Sequence, residues 1–309
     1  MRLSVAVRKY ISWKQLRGLR FYGGERSLTS FLRRIGDCQL GAVTSMQVSA
    51  FLDGPNVSPA TWWAKHRRFG AFFKFWISRG QLGRLPMPRP RAAWPSPFRP
   101  YIYSTTDLTR MMKATELNQG GRSCRLDSIT LKTFLLFLYG TGSLVSEALS
   151  LCLRDIDLRE NLITVRRAST GMTRTLPIGR NLRIALDTYL ASSVRRRGYC
   201  TNFFINNKGR PIPYPTLMGT FQRLRVRACI RRENGVGDPP AIRDLRHTFG
   251  VHCLAAWLKR GGHPDSLLPA LSAYMGHAKW NWTERYLALT PDRFWKQLSV
   301  LARPQRKDP

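Results

Sequence analysis

The sequence predicts a mainly α protein with one small β-sheet, an α+β chain in two domains. Three observations predict it. Apolar residues make up 43% of the 309, enough to bury a core in each of two ordinary domains. Most apolar stretches recur at helical spacing, and only one pair of short alternating segments reads as a hairpin. Six prolines crowd the fifteen residues Pro86-Met-Pro-Arg-Pro-Arg-Ala-Ala-Trp-Pro-Ser-Pro-Phe-Arg-Pro100. Such a stretch continues neither a helix nor a central strand and suits an extended basic linker. The expected organisation is therefore a helical domain over 1–85, a linker over 86–100 and a larger domain over 101–309.

Before the linker, three helices are expected. Arg26 to Ile35 places Leu28, Phe31 and Leu32 on one face, and Thr44 to Leu52 carries Met46, Val48 and Phe51. The third starts at Ser58, an N-cap followed by Pro59 in the first turn, and runs to Gly80. Its apolar stripe is Trp62, Phe69, Phe72, Phe73 and Trp76; Lys65, His66, Arg67, Arg68 and Lys74 supply cations. That basic face either meets a nucleic-acid backbone or is simply solvated.

After the linker, Ser104-Thr-Thr-Asp107 opens a helix through Thr115, and Ser128 to Leu138 is an apolar helix ending at Gly140. Helical turns over Glu147–Leu153 close at Arg154-Asp-Ile-Asp157. Asn161–Arg166 and Thr173–Ile178, around a Ser169-Thr-Gly171 turn, form the hairpin. Further helices are expected at about 181–193, 216–231, 244–260, 266–275 and 282–300. The last, from Trp282 to Leu298, is apolar enough to dock on a neighbouring subunit or to close its own domain.

Charge narrows the partners. The formal net charge is +33, from 51 Lys plus Arg against 18 Asp plus Glu. A surplus of that size repels itself unless a polyanion neutralises it, which points to nucleic acid before an anionic membrane. Arginine predominates, and its planar fork matches phosphate oxygens two at a time. Arg195-Arg-Arg-Gly198 and Arg223-Leu-Arg-Val-Arg227, continued by Arg231-Arg232, read as backbone clamps.

Cys38, Cys124, Cys152, Cys200, Cys229 and Cys253 form no C-x-x-C pair, so reduced thiols are expected instead of a disulfide frame or zinc site. Five histidines make no metal-ligand spacing. The apolar run in Met1–Arg8 is too short for a signal peptide, and nothing approaches the roughly 20 apolar residues of a membrane span. The expected location is the cytoplasm, with no membrane partner and no cofactor or metal.

Three ordered segments bear on chemistry. They are Gly140-Thr-Gly-Ser-Leu144-Val-Ser-Glu147, Arg243-Asp-Leu-Arg246-His247-Thr-Phe, and Gly276-His277-Ala-Lys-Trp-Asn-Trp-Thr-Glu-Arg-Tyr286. In this order and with nine residues from His277 to Tyr286, they resemble the tyrosine recombinase (phage integrase) family over roughly 100–300. The first ninety residues match only as a generic helical core-binding domain. The resemblance implies that a tyrosine attacks a scissile phosphate, giving a 3′-phosphotyrosyl link and a free 5′-hydroxyl without a metal. Cations must then stabilise the phosphoryl oxygens, and a donor must protonate the leaving oxygen. It implies Tyr286 as nucleophile, His277 bonding a non-bridging oxygen and Arg246 as second arginine, with His247 structural.

The chain also departs from that pattern. Leu144 stands at the first arginine position, Arg243 replaces the histidine three residues before Arg246, and Ser169 aligns with the hairpin lysine. No lysine occurs between Thr133 and Asn207. Arg243, at i relative to Arg246 at i+3, is one replacement cation, but a guanidinium is no proton donor. Arg166, Arg167 and Arg174 are the cations in and around the hairpin.

The expected function is site-specific recombination or integration for a mobile element in a bacterium. Double-stranded DNA and other recombinase subunits, as a homo- or hetero-oligomer, are the expected partners. One alternative is a catalytically impaired recombinase-fold helper acting with complete recombinases. The other is a basic nucleic-acid-binding regulator without strand chemistry.

Overall fold

The computed structural model describes residues 1–18, 21–91, 99–116, 126–166, 172–192, 195, 200–232, 238–277, 283, 286 and 289. It divides into two units, Met1–Phe98 and Arg99–Pro309. Among the described residues the chain is mostly helical with one three-stranded sheet, the α+β class its apolar periodicity predicts.

The first unit contains α1 (Leu3–Leu16), α2 (Tyr22–Ile35), α3 (Ser45–Leu52) and α4 (Pro59–Ile77). Helix α1 is absent from the sequence expectation, which read Met1–Arg8 only as a short apolar stretch. Its buried residues Leu3, Ala6, Val7 and Tyr10 fall at i, i+3, i+4 and i+7, with cations between them that obscure the stripe. Its first turn is held from a distance: Ser4 donates through its backbone N and its Oγ to the Asp37 carboxylate, both at 2.9 Å. Helix α2 starts four residues earlier than Arg26. Thr44 and Gln47 close a reciprocal capping box on α3, and Ser58 Oγ accepts from Thr61 N on α4.

Five α4 aromatics turn inward. Trp62, Phe69, Phe72, Phe73 and Trp76 join Tyr10, Phe31 and Phe51 in one core, with edge-on ring pairs such as Phe31–Phe69 at 5.0 Å. Arg67, Arg68 and Lys74 lie exposed on the other side of the helix.

The second unit is built on α6 (Ser128–Thr141), buried on most sides and packed against α5 (Thr105–Glu116), α8 (Arg180–Ala191) and α10 (Asp244–Lys259). It runs three residues past Leu138 because the left-handed position that stops it is Gly142, at φ +60°, not Gly140. Short α7 (Val145–Leu149) leads to an antiparallel sheet of β1 (Ile156–Asp157), β2 (Leu162–Arg166) and β3 (Thr173–Pro177). The hairpin is as expected; β1 extends it where the sequence suggested only the close of a helical turn. Helices α9 (Tyr214–Arg227) and α11 (Pro264–Met275) complete the set. The expected helix over 282–300, Ser169 and Arg167 lie outside the described residues, save Thr283, Tyr286 and Leu289.

Candidate active site

Helix α10 carries the second-arginine segment into the unit. Asp244 Oδ2 accepts from Ala241 N at 2.9 Å, and burial raises its carboxyl above the ordinary range. Within the same first turn, Arg246 is only 8% exposed. Its Nη1 donates to Gly142 O and its Nη2 to Met275 O, each at 2.7 Å. Gly142 caps the C-terminus of α6, and Met275 is the last residue of α11. Both helix ends present carbonyls that lack intrahelical partners and carry partial negative charge. A single buried cation thus ties two helix C-termini to a third helix. The left-handed turn that aims the Gly142 carbonyl also needs glycine for space, since a Cβ there would lie 2.4 Å from Phe249 Cδ1.

The third segment arrives from the end of α11. His277 N bonds Ser272 O at 3.0 Å, and its Nδ1 lies 2.7 Å from Thr283 Oγ1. Tyr286, 2% exposed, lies with its ring centroid 5.9 Å from the rings of both His277 and His247. It rests on α10 at Gly250, where a Cβ would come within 2.7 Å of the ring. Burial raises the phenol pKa, opposed by the positive charge of Arg246. The structure therefore brings Arg246, His277 and Tyr286 together. Arg243 sits apart from that buried set, at the N-cap of α10, with its side chain 60% exposed and Nη2 3.9 Å from Asp238 Oδ2.

The first segment places Leu144 at the N-cap of α7, half-buried, its N–H donating to Glu147 Oε2 at 2.8 Å. Glu147 is buried, and Arg174 grips it from β3, Nη1 to Oε1 and Nη2 to Oε2, both at 2.9 Å. Arg174 Nε also donates to Tyr274 O at 3.0 Å. Burial works to raise the Glu147 carboxyl; the Arg174 pair, the Leu144 N–H and the charge of Arg246 overcome it and hold the pKa below the ordinary range. Arg166 instead pairs with buried Asp155.

Glu147, Arg174 and Thr283 escaped the candidate set drawn from sequence. A signal for Arg174 existed. It pairs across the hairpin with Val165 and alternates with Leu176, and both neighbours are fully buried. A cation on the inward face of a strand demands a partner. Among the described residues no group of three His, Cys, Asp or Glu is placed to hold a metal ion.

Comparison with known proteins adds the context. Residues 104–293 match the family model described as the phage integrase family. A Sinorhizobium fredii protein named as an integrase/recombinase, y4rB, is 28% identical over 303 residues, covering 93% of each chain. Tyrosine recombinase XerD of Mycobacterium tuberculosis is 32% identical over 163 residues, 52% of this chain and 48% of that one. Among solved structures, a lambda integrase dimer bound to a COC′ core site superposes with TM-score 0.67 at 17% identity, covering 93% of this chain and 95% of that one. The Tn1549 transposon integrase in complex with a circular intermediate DNA gives 0.66 at 18% identity, covering 98% and 100%.

Proposed function

The chain belongs to the phage integrase family, and from that premise we propose that it cuts and rejoins DNA through a tyrosine-linked intermediate on behalf of a mobile element. Its working site is the bacterial cytoplasm. In the reaction, Tyr286 Oη forms a bond to the scissile phosphorus as the bond from phosphorus to the 5′ oxygen breaks. The phenol gives up one proton and the leaving 5′ oxygen takes up one. The products are a 3′-phosphotyrosyl link and a free 5′-hydroxyl, and a second 5′-hydroxyl reverses the step on a new strand. No bond energy is lost to hydrolysis, so joining needs no external energy source.

One observation carries this reading: Tyr286, forty residues along the chain from Arg246, comes to rest on α10 one turn beyond it and beside His277. In this reading Arg246 and His277 stabilise charge on the non-bridging oxygens, and exposed Arg243 approaches the same DNA backbone. Rigid, buried donors suit this task because they need no reorganisation as charge develops. The phenol is covered in the present arrangement, so attack requires Tyr286 to swing out from Gly250 once DNA is bound. Duplex DNA and further subunits are the proposed partners, by analogy with the lambda integrase dimer bound to a COC′ core site.

Leu144 favours a second reading, a helper subunit that binds DNA beside complete recombinases. Losing one transition-state donor costs about 10²–10³ in rate, and such losses are not additive. A suicide substrate separates the two readings: nicked duplexes tiled across the DNA flanking this coding sequence, with covalent adduct scored on a denaturing gel. The strand-cutting reading expects an adduct that Tyr286→Phe abolishes while DNA binding persists. Sound binding without any adduct favours the helper over the strand-cutting reading.

A further inference from the structure

We propose that Arg174 is the cation that replaces the arginine displaced by Leu144, contacting a non-bridging oxygen of the scissile phosphate from β3. The inference rests on the strand-cutting reading above.

Three observations place it. First, Arg174 is bound to the residue that organises the Leu144 turn. Glu147 Oε2 accepts both from Leu144 N, at 2.8 Å, and from Arg174 Nη2, at 2.9 Å. Second, the guanidinium packs on the turn that carries His277. A Cβ on Gly276 would lie 3.1 Å from Arg174 Nη1, and Nε is held by Tyr274 O. Third, it shares its surroundings with Arg246, which bonds Met275 O between those two residues. Both arginines act on the Glu147 carboxylate through space.

The fork geometry leaves room for substrate. A guanidinium has five N–H donors, and among the described residues Arg174 uses one on each of its three nitrogens. Two N–H groups remain. Its side chain is 15% exposed, enough to meet an oxygen without losing its anchor. The bidentate pair to buried Glu147 does for Arg174 what two helix ends do for Arg246: it fixes the guanidinium before substrate arrives. A lysine could not hold the carboxylate and the Tyr274 carbonyl in this planar arrangement.

The same architecture explains how Leu144 is tolerated. Its backbone N–H still supplies the Glu147 contact, while its apolar side chain is half-buried. The charge enters from another element instead of from the turn itself.

The test compares two scissile linkages at the cleavage position mapped with the tiled nicked duplexes: the natural phosphodiester, and a racemic methylphosphonate, which is neutral. Adduct formation is measured with wild type, Arg174→Gln and Arg174→Lys. If Arg174 meets charge on the phosphate, Arg174→Gln slows adduct formation about 10²–10³-fold on the phosphodiester, and less than about tenfold relative to wild type on the neutral linkage. Because both substrates see the same fraction of folded protein, the ratio of the two losses is insensitive to partial unfolding. Arg174→Lys keeps a charge but not the fork, and is expected to fall between wild type and Arg174→Gln on the phosphodiester alone.

Should Arg174→Gln not fold, the double variant Arg174→Gln with Leu144→Arg decides, since the new arginine can pair with Glu147 and recover the adduct. Equal losses on the two linkages, or a double variant that folds without recovering activity, overturn the proposal and leave Arg174 a structural anchor. If wild type forms no adduct on the natural linkage, the strand-cutting reading falls and the proposal falls with it. A Tyr286-dependent wild-type adduct with unequal or equal Arg174 losses isolates the proposal itself.

Discussion

In the proposed reaction one side chain, Arg246, serves fold and chemistry together. Its two terminal nitrogens hold Gly142 O and Met275 O at 2.7 Å, so it fixes the ends of α6 and α11 before any phosphate arrives. Hydrogen bonds from a charged donor contribute about 1.5–3 kcal/mol each, and a buried acceptor left unmatched adds to the cost of losing one. Arg246→Ala is therefore expected to lower stability by about 3 kcal/mol or more, read as a shifted urea midpoint, as well as to abolish the covalent adduct. Arg246→Lys supplies one ammonium where two divergent donors are needed, and is expected to recover only part of the stability. A variant that lost adduct at full stability would show that the carbonyl ties are dispensable and that Arg246 acts on substrate alone. Tyr286 makes the complementary case. Its ring lies where a Cβ at position 250 would intrude, so glycine at that position leaves space for the phenol.

At the scale of elements, the Glu147–Arg174 pair links α7 to β3. The folded-state pKa of Glu147 is depressed, so the pair contributes stability above the ordinary carboxyl value of 4.5, and that contribution is lost as pH falls through the folded value. Glu147→Gln is expected to be less stable than wild type at pH 7 by about 3 kcal/mol, because it leaves a largely buried arginine unpaired. Its further loss on acidification should be smaller than that of wild type; denaturant melts at neutral pH and below 4.5 check both points, and parallel acid limbs would refute the assignment. This pair also marks how far the sequence could be read. The α4 stripe, the hairpin and the order of the three motif segments were legible because each is a local pattern of period or spacing. The stripe of α1 was hidden because Arg8 and Lys9 separate Val7 from Tyr10, and its first turn is capped by Asp37, far along the chain. Arg174 could be named as a nearby cation, but its partner lies 27 positions away on another element. Local spacing carries no record of such a pairing. Arg243 illustrates the converse: i and i+3 spacing placed it beside Arg246, whereas the helix begins between them and leaves Arg243 exposed at the cap.

For the whole molecule, the question is what the net charge of +33 is for. Part of it is committed internally: Arg166, Arg174 and Arg91 pair with carboxylates, and Arg195 and Arg246 bond carbonyls. Exposed side chains carry further charge, including Arg67, Arg68 and Lys74 on α4 and Arg223 and Arg227 on α9. Among the described residues no helix is long and apolar enough to cross a membrane, and the basic residues alternate with packed apolar ones in elements of a folded core. Such a surface binds a polyanion by releasing its counterions, and the response to salt counts the phosphates engaged. If six to ten phosphates are neutralised, affinity for duplex DNA of arbitrary sequence is expected to fall about 10³–10⁵-fold between about 50 and 200 mM salt. Fluorescence anisotropy with a labelled duplex measures that slope directly. Tyr286→Phe should leave it unchanged, because a phenol hydroxyl adds no charge to the encounter, whereas Arg67→Ala with Arg68→Ala should make it shallower by up to about two phosphate contacts. A slope near zero would mean that the exposed cations do not meet a nucleic-acid backbone, and would remove the electrostatic ground for the DNA-binding reading while leaving the fold assignment intact.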